Sequence, residues 1–143
     1  MGARVHLSTN QNMTLNTANP AVTVQFDTED YDDAGFVNLA SANTKITIPT
    51  GYAGRYEVGF YCYAVLTTTV KTECGIWLNG TGGIQTVVAG VSSNNILLLG
   101  GTTDIDMAVG DYIELGLYPL DTNGSAVVYG SAYRPAMWAR KIR

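Results

Sequence analysis

Few residues in this chain are equipped for chemistry. The single histidine, His6, stands in the alternating stretch Ala3-Arg-Val-His-Leu7, and no motif places a serine, cysteine or carboxylate around it. It reads as a structural strand residue, because a nucleophile–base arrangement has no second member. Carboxylates crowd into residues 27–33, Asp-Thr-Glu-Asp-Tyr-Asp-Asp. A pair of them could supply the acid and base of a glycosidase. That reaction also needs a cleft with aromatic platforms, for which a compact 143-residue chain has little room. The expectation is a protein that is not an enzyme.

The same acidic segment raises the question of calcium. From Asp30 the spacing opens like a calcium loop, with Asp32 third and Gly35 sixth. Ala34 then falls on a ligand position, and Ser41 stands where a bidentate glutamate is required, so that loop fails. A less regular calcium site drawn from Asp30, Asp32, Asp104, Asp106 or Asp111 is the one metal candidate, set against a solvated acidic loop. No cofactor is expected. Two cysteines and one histidine are too few for a zinc site. Cys62 and Cys74 have inward parity on their strands and read as buried free thiols, with a disulfide as the alternative. The cluster Gly80-Thr-Gly-Gly83 follows a strand without opening a helix, so it reads as a turn and not as a phosphate loop.

The element that must position everything else is the run over residues 55–66. Its even positions (Tyr56, Val58, Phe60, Cys62, Ala64, Leu66) share one strand face and its odd positions the other. The even face is core. The odd face carries Tyr61, Tyr63 and Val65, which is too apolar to be left in water. A second layer or a second copy of the chain must cover it. Trp77, of outward parity, and Tyr118 on the next long strand join these three as candidate interface residues.

Composition agrees with a covered β protein. The chain is 46% hydrophobic and 14% charged, against a usual charged share of about 25%. A net charge of −4 argues against nucleic acid. No apolar run approaches the roughly 18 residues of a membrane span, so no membrane insertion is expected. Nor does a signal peptide precede the first strand-like segment. Four of the eight cationic side chains (Arg134, Arg140, Lys141, Arg143) lie in the last ten residues. With no basic stripe beyond them, they read as a charge-pairing tail for a neighbouring subunit or an acidic partner.

In order, strands are predicted at residues 3–7, 22–26, 46–48, 55–66, 70–78, 84–89, 96–99, 112–120, 126–133 and 136–142, with Ile105 and Met107 leading into Gly110. Asn79-Gly80 is a hairpin signal. Residues 8–19 and 27–33 are read as loops. About ten strands at this spacing, without a helical period, predict one all-β domain over residues 1–143, an antiparallel sandwich or barrel.

Six segments in this order, Gly2-Ala-Arg-Val5, Val24-Gln-Phe-Asp-Thr-Glu-Asp-Tyr-Asp32, Ile46-Thr-Ile-Pro49, Gly54-Arg-Tyr-Glu-Val58, Leu78-Asn-Gly80 and Gly110-Asp-Tyr-Ile-Glu-Leu115, resemble the C1q-like, tumour-necrosis-factor-like jelly roll. The version most resembled is that carried by phage and bacterial proteins. The resemblance spans nearly the whole chain and departs at the basic ending and in the lack of a stalk. It implies a two-sheet jelly roll of ten strands, a compact homotrimer, and apolar surface buried near a threefold axis. It also implies structural hydrogen bonds for Asp27 and Glu29. The expected role is that of a virion surface protein, foremost a capsid decoration protein bound to coat subunits. The alternatives are a tail-fibre tip gripping a host glycan or protein, and a secreted bacterial adhesion module.

Overall fold

The computed structural model describes residues 1–18, 22–66, 72–89, 95–120 and 123–143. The strands are β1 (Gly2–His6), β2 (Gln11–Leu15), β3 (Val22–Thr23), β4 (Thr28–Asp32), β5 (Lys45–Thr47) and β6 (Gly54–Leu66). They continue with β7 (Thr72–Leu78), β8 (Thr81–Ala89), β9 (Ile96–Met107), β10 (Tyr112–Pro119), β11 (Gly124–Val128) and β12 (Ala136–Lys141). One helical turn, α1 (Gly130–Tyr133), precedes β12.

These strands form the two antiparallel sheets expected. A seven-stranded sheet runs β2-β11-β6-β12-β1-β4, with β9 on the other side of β6. A five-stranded sheet runs β3-β10-β7-β8, with β5 also on β10. The parity read from residues 55–66 holds: Tyr56, Val58, Phe60, Cys62, Ala64 and Leu66 are all buried. Facing them from the five-stranded sheet are Cys74, Ile76, Ile113, Leu115 and Leu117, each completely buried. Alternation along both layers is what lets one face of each sheet close a single core.

Several local readings change. Residues 11–15 form a strand because Met13 and Leu15 drop into the core, although the surrounding Asn and Thr made the stretch read as a loop. Residues 28–32 are strand β4, paired with β1 despite their charge. Val24 and Phe26 are buried as expected, but only Val22 and Thr23 pair as a strand. Residues 96–107 are one strand, since β9 follows β6 along nearly its full length. Gly82 and Gly83 lie within β8 and not in the turn. The turn itself is Asn79-Gly80, both at positive φ, as a two-residue hairpin requires. The predicted strand 126–133 stops at Val128, and α1 begins at Gly130 after Tyr129. Residues 67–69, 70–71, 90–94 and 121–122 of the predicted connections and strand ends lie outside the described residues.

Cys62 and Cys74 are free and buried, one in each sheet. The Cys62 thiol hydrogen-bonds that of Cys74 and, together with burial, holds the Cys74 thiol well above its usual range. Both groups should therefore be silent in the native state. A coloured aromatic disulfide reagent should modify neither cysteine until the core opens, at least about a hundredfold more slowly than in denaturant. Prompt labelling of either thiol under native conditions would contradict this packing.

Candidate functional site

The outer face of the seven-stranded sheet gathers the residues with most to offer a partner. Its apolar end follows from strand register. Tyr63 of β6 lies opposite Leu98 of β9, and Val65 lies between Ile96 of β9 and Val127 of β11. Just past β11, the Tyr129 backbone N–H donates to the Tyr63 carbonyl at 3.1 Å. The turn α1 then brings Tyr133 over Tyr63, their rings stacked at 3.7 Å and 15°. Tyr129 meets Tyr63 edge-on at 6.0 Å. The Tyr133 hydroxyl, ahead of desolvation, pushes the Tyr63 phenol above its ordinary value. Leu98 (58%), Tyr133 (46%) and Ile96 (36%) are nonetheless exposed.

Beside this patch an open cleft of about 430 Å³ crosses β6, β12, β1 and β4. Trp138 lies flat on its floor because Gly59, opposite it on β6, has no side chain. A Cβ at Gly59 would stand 2.6 Å from Trp138 Cε2 and 2.7 Å from Thr102 Cγ2. Arg4 holds its guanidinium 5.8 Å from the centre of the Trp138 ring, in cation–π range. Tyr31, Tyr61 and Tyr133 form aromatic walls, and Arg134, Arg140 and Glu57 complete the rim. Arg140 pairs with Glu57 at 3.3 Å. Arg134 sits at the end of α1 with left-handed backbone (φ 47°), and its guanidinium makes no ion pair among the described residues.

A β-bulge organises the outer edge of the cleft. The β1–β4 register shifts between Arg4 and Val5, so Asp30 is the extra residue on its strand. Its carboxylate reaches Arg4 Nε at 3.0 Å and lies 2.9 Å from His6 Nδ1. The sequence showed no carboxylate near His6; the bulge supplies one. The third member of this group is an arginine and not a nucleophile, so it anchors β4 to β1.

The interface candidates are divided between the two sheets. Tyr61, Tyr63 and Val65 share the face just described, whereas Trp77 and Tyr118 belong to the opposite, five-stranded sheet. Trp77 is 9% exposed, its ring 2.8 Å from where a Cβ on Gly116 would stand. Its cover comes from its own chain, so the expectation that a partner covers it is corrected. The basic tail is divided as well. Arg134 and Arg140 reach the cleft, Lys141 Nζ donates to the Ala53 carbonyl at 2.8 Å, and the Arg143 carbonyl accepts from the Arg55 N–H.

The calcium candidates are also dispersed. Asp32 accepts the backbone N–H groups of Ala34, Gly35, Phe36 and Val37, closing the loop after β4. Asp30 is held by Arg4 and His6. Asp104 and Asp106, on β9, face Arg55 at 4.0 and 3.6 Å. Asp111 accepts from Ala108 N and from the Asn79 side chain. Among the described residues no three acidic, histidine or cysteine side chains converge. Asp27 performs the structural work expected of it, accepting from Ser8 N, Thr9 N, Thr9 Oγ1 and Thr28 Oγ1. Desolvation opposes its charge, but the donors, Thr9 first, outweigh it and hold the carboxyl well below the usual range.

No protein-family model matches the chain, and no curated protein matches it by sequence. Solved structures do match. The globular domain of zebrafish complement 1qA superposes with a TM-score of 0.63 at 12% identity, covering 99% of this chain and 97% of that one. Murine APRIL at pH 5.0 gives 0.64 at 9% identity, over 98% and 99%. Eiger TNF from S. frugiperda gives 0.59 at 10% identity, over 98% and 91%. The chain has the jelly-roll fold of C1q and TNF domains.

Two outcomes test this geometry. Gly59→Ala should lift Trp138 off the sheet, lowering stability by about 1–3 kcal/mol and changing tryptophan emission. Asp27→Asn should cost about 1 kcal/mol at pH 7, after discounting for its exposure. Because the folded carboxyl is depressed, its contribution is complete above about pH 4, the unfolded value. It fades as pH falls below that, so the denaturation midpoints of variant and parent should converge in acid.

Proposed function

We propose that this chain is a non-enzymatic homotrimeric module of a virion surface, foremost a capsid decoration protein. The observation that carries the trimer is the exposed apolar end of the seven-stranded sheet. There Leu98, Ile96 and Tyr133 stand clear of their own chain around the Tyr63 stack. Monomeric surfaces seldom leave such a contiguous patch to water. The jelly-roll resemblance implies a trimer, and the patch supplies a surface on which one could close. The virion placement is supported by the likeness of six sequence segments to the phage-borne form. The absence of enzyme chemistry is supported by the His6–Asp30–Arg4 group, which holds an arginine where a reaction would need a nucleophile.

The cleft favours a second reading, a tail-fibre tip that grips a host surface. Aromatic walls and guanidinium groups are the means by which a protein holds a polar ligand, and a cement protein has no evident use for them.

Light scattering from micromolar to nanomolar concentration should give a mass near three chains. Leu98→Asp, placing charge in the patch, should reduce it to one chain with the circular dichroism unchanged. A parent protein that is monomeric throughout would refute the assembly. Particles lacking the protein should lose thermal stability while still adsorbing to cells. Normal stability with lost adsorption would favour the fibre tip.

A further inference from the structure

We propose that the Trp138 cleft binds a carboxylate-bearing saccharide, a uronic or nonulosonic acid unit of a glycan. The inference deepens the fibre-tip reading and does not depend on the trimer. The Trp138 ring packs over Gly59 with the Arg4 guanidinium 5.8 Å from its centre, and the part of the indole that faces the cleft is the apolar platform a sugar ring stacks on beside that cation. The neighbouring tyrosine hydroxyls and Glu57 are suited to bond sugar hydroxyls, and an opening of about 430 Å³ lies within the usual size of a small-molecule site.

The charge pattern selects the acid. In a protein of net charge −4, three arginines surround one cleft. Arg4 is fixed by Asp30 and Arg140 by Glu57, so both are ordered and partly neutralised. Arg134 alone has no carboxylate among the described residues, and its planar fork matches one. A single carboxylate on the ligand completes that set. Glu57 at the rim, and Asp30 behind Arg4, disfavour a polyphosphate or a nucleic-acid strand, which would bring several negative charges to them.

The site is separable from the apolar patch. Arg4, Tyr31, Glu57 and Arg140 stand on or beside β12, β1 and β4, whereas Ile96, Leu98 and Val127 lie at the other end of β6 and its neighbours. Tyr61 and Tyr133 mark the border.

The test is a fluorescence and calorimetric titration of the full chain with trigalacturonate and with sialyllactose, each beside its neutral methyl ester. At least one acid should bind, at least about tenfold more tightly than its ester, a difference of about 1.4 kcal/mol, and more weakly as salt rises. Arg134→Ala should weaken binding about tenfold with unchanged native mass, and Trp138→Phe should weaken it by calorimetry and abolish the fluorescence change, because Trp77 lies buried on the other sheet. Leu98→Asp should keep binding even as a monomer. Failure of both acids at millimolar concentration, equal binding of acid and ester, or an unaffected Arg134→Ala would overturn the proposal. A parent chain that is monomeric at every concentration yet binds the acid would overturn only the assembly.

Discussion

The structure depends on strand β6 having a partner on each edge and an apolar surface on each face. β9 pairs with it from Gly54 to Val65, while β12 and β11 divide its other edge between them. Its backbone is thereby satisfied along the strand, and its even residues form the centre of the core. The odd residues are then forced outward. Their type is decided by what lies beside them: a tyrosine stack at one end, a glycine under a tryptophan in the middle, and Glu57 and Arg55 among counter-charges at the other end. One strand thus sets the core, the apolar patch and the floor of the cleft.

Both outer faces solve the same packing problem in the same way. Trp138 rests on Gly59 in one sheet, and Trp77 on Gly116 in the other. A glycine inside a strand weakens it unless another group takes up the exposed backbone surface, and a flat indole does so. The consequences differ because the surroundings differ. Trp77 is closed in by its own chain, whereas Trp138 is left half-buried at the bottom of an opening edged with arginine. Trp77 therefore contributes to packing, and Trp138 is available to a ligand.

Charge is used mainly to secure edges. Five carboxylates in residues 27–33 made that segment look like a solvated loop, yet Asp27 ties residues 8–9 to it, Asp30 binds β1, and Asp32 closes the turn that follows. Asp27, Asp30, Asp32 and Asp33 each meet N–H, hydroxyl or cationic donors from their own chain. A strand of such composition can sit at the sheet edge because its charges are matched locally and because an edge strand so decorated resists pairing with a stranger.

Period-two alternation was legible in the chain and determined the all-β class, the inward residues of β6, the inward side of β7 and the buried thiols, while the Asn-Gly pair marked the hairpin at residues 79–80. Alternation is a local property, carried by each strand in its own residues. The strands at residues 11–15 and 28–32 were not legible, because polar composition hid two core residues in one and charge hid the pairing of the other. Register was beyond reach for the same reason: it is a relation between segments. Only the tertiary structure placed Asp30 against His6 through a bulge, set Trp138 over Gly59, and put Trp77 and Tyr118 on the sheet away from Tyr63. Those contacts join residues more than twenty positions apart, and which of them form is decided by how the sheets pair and pack.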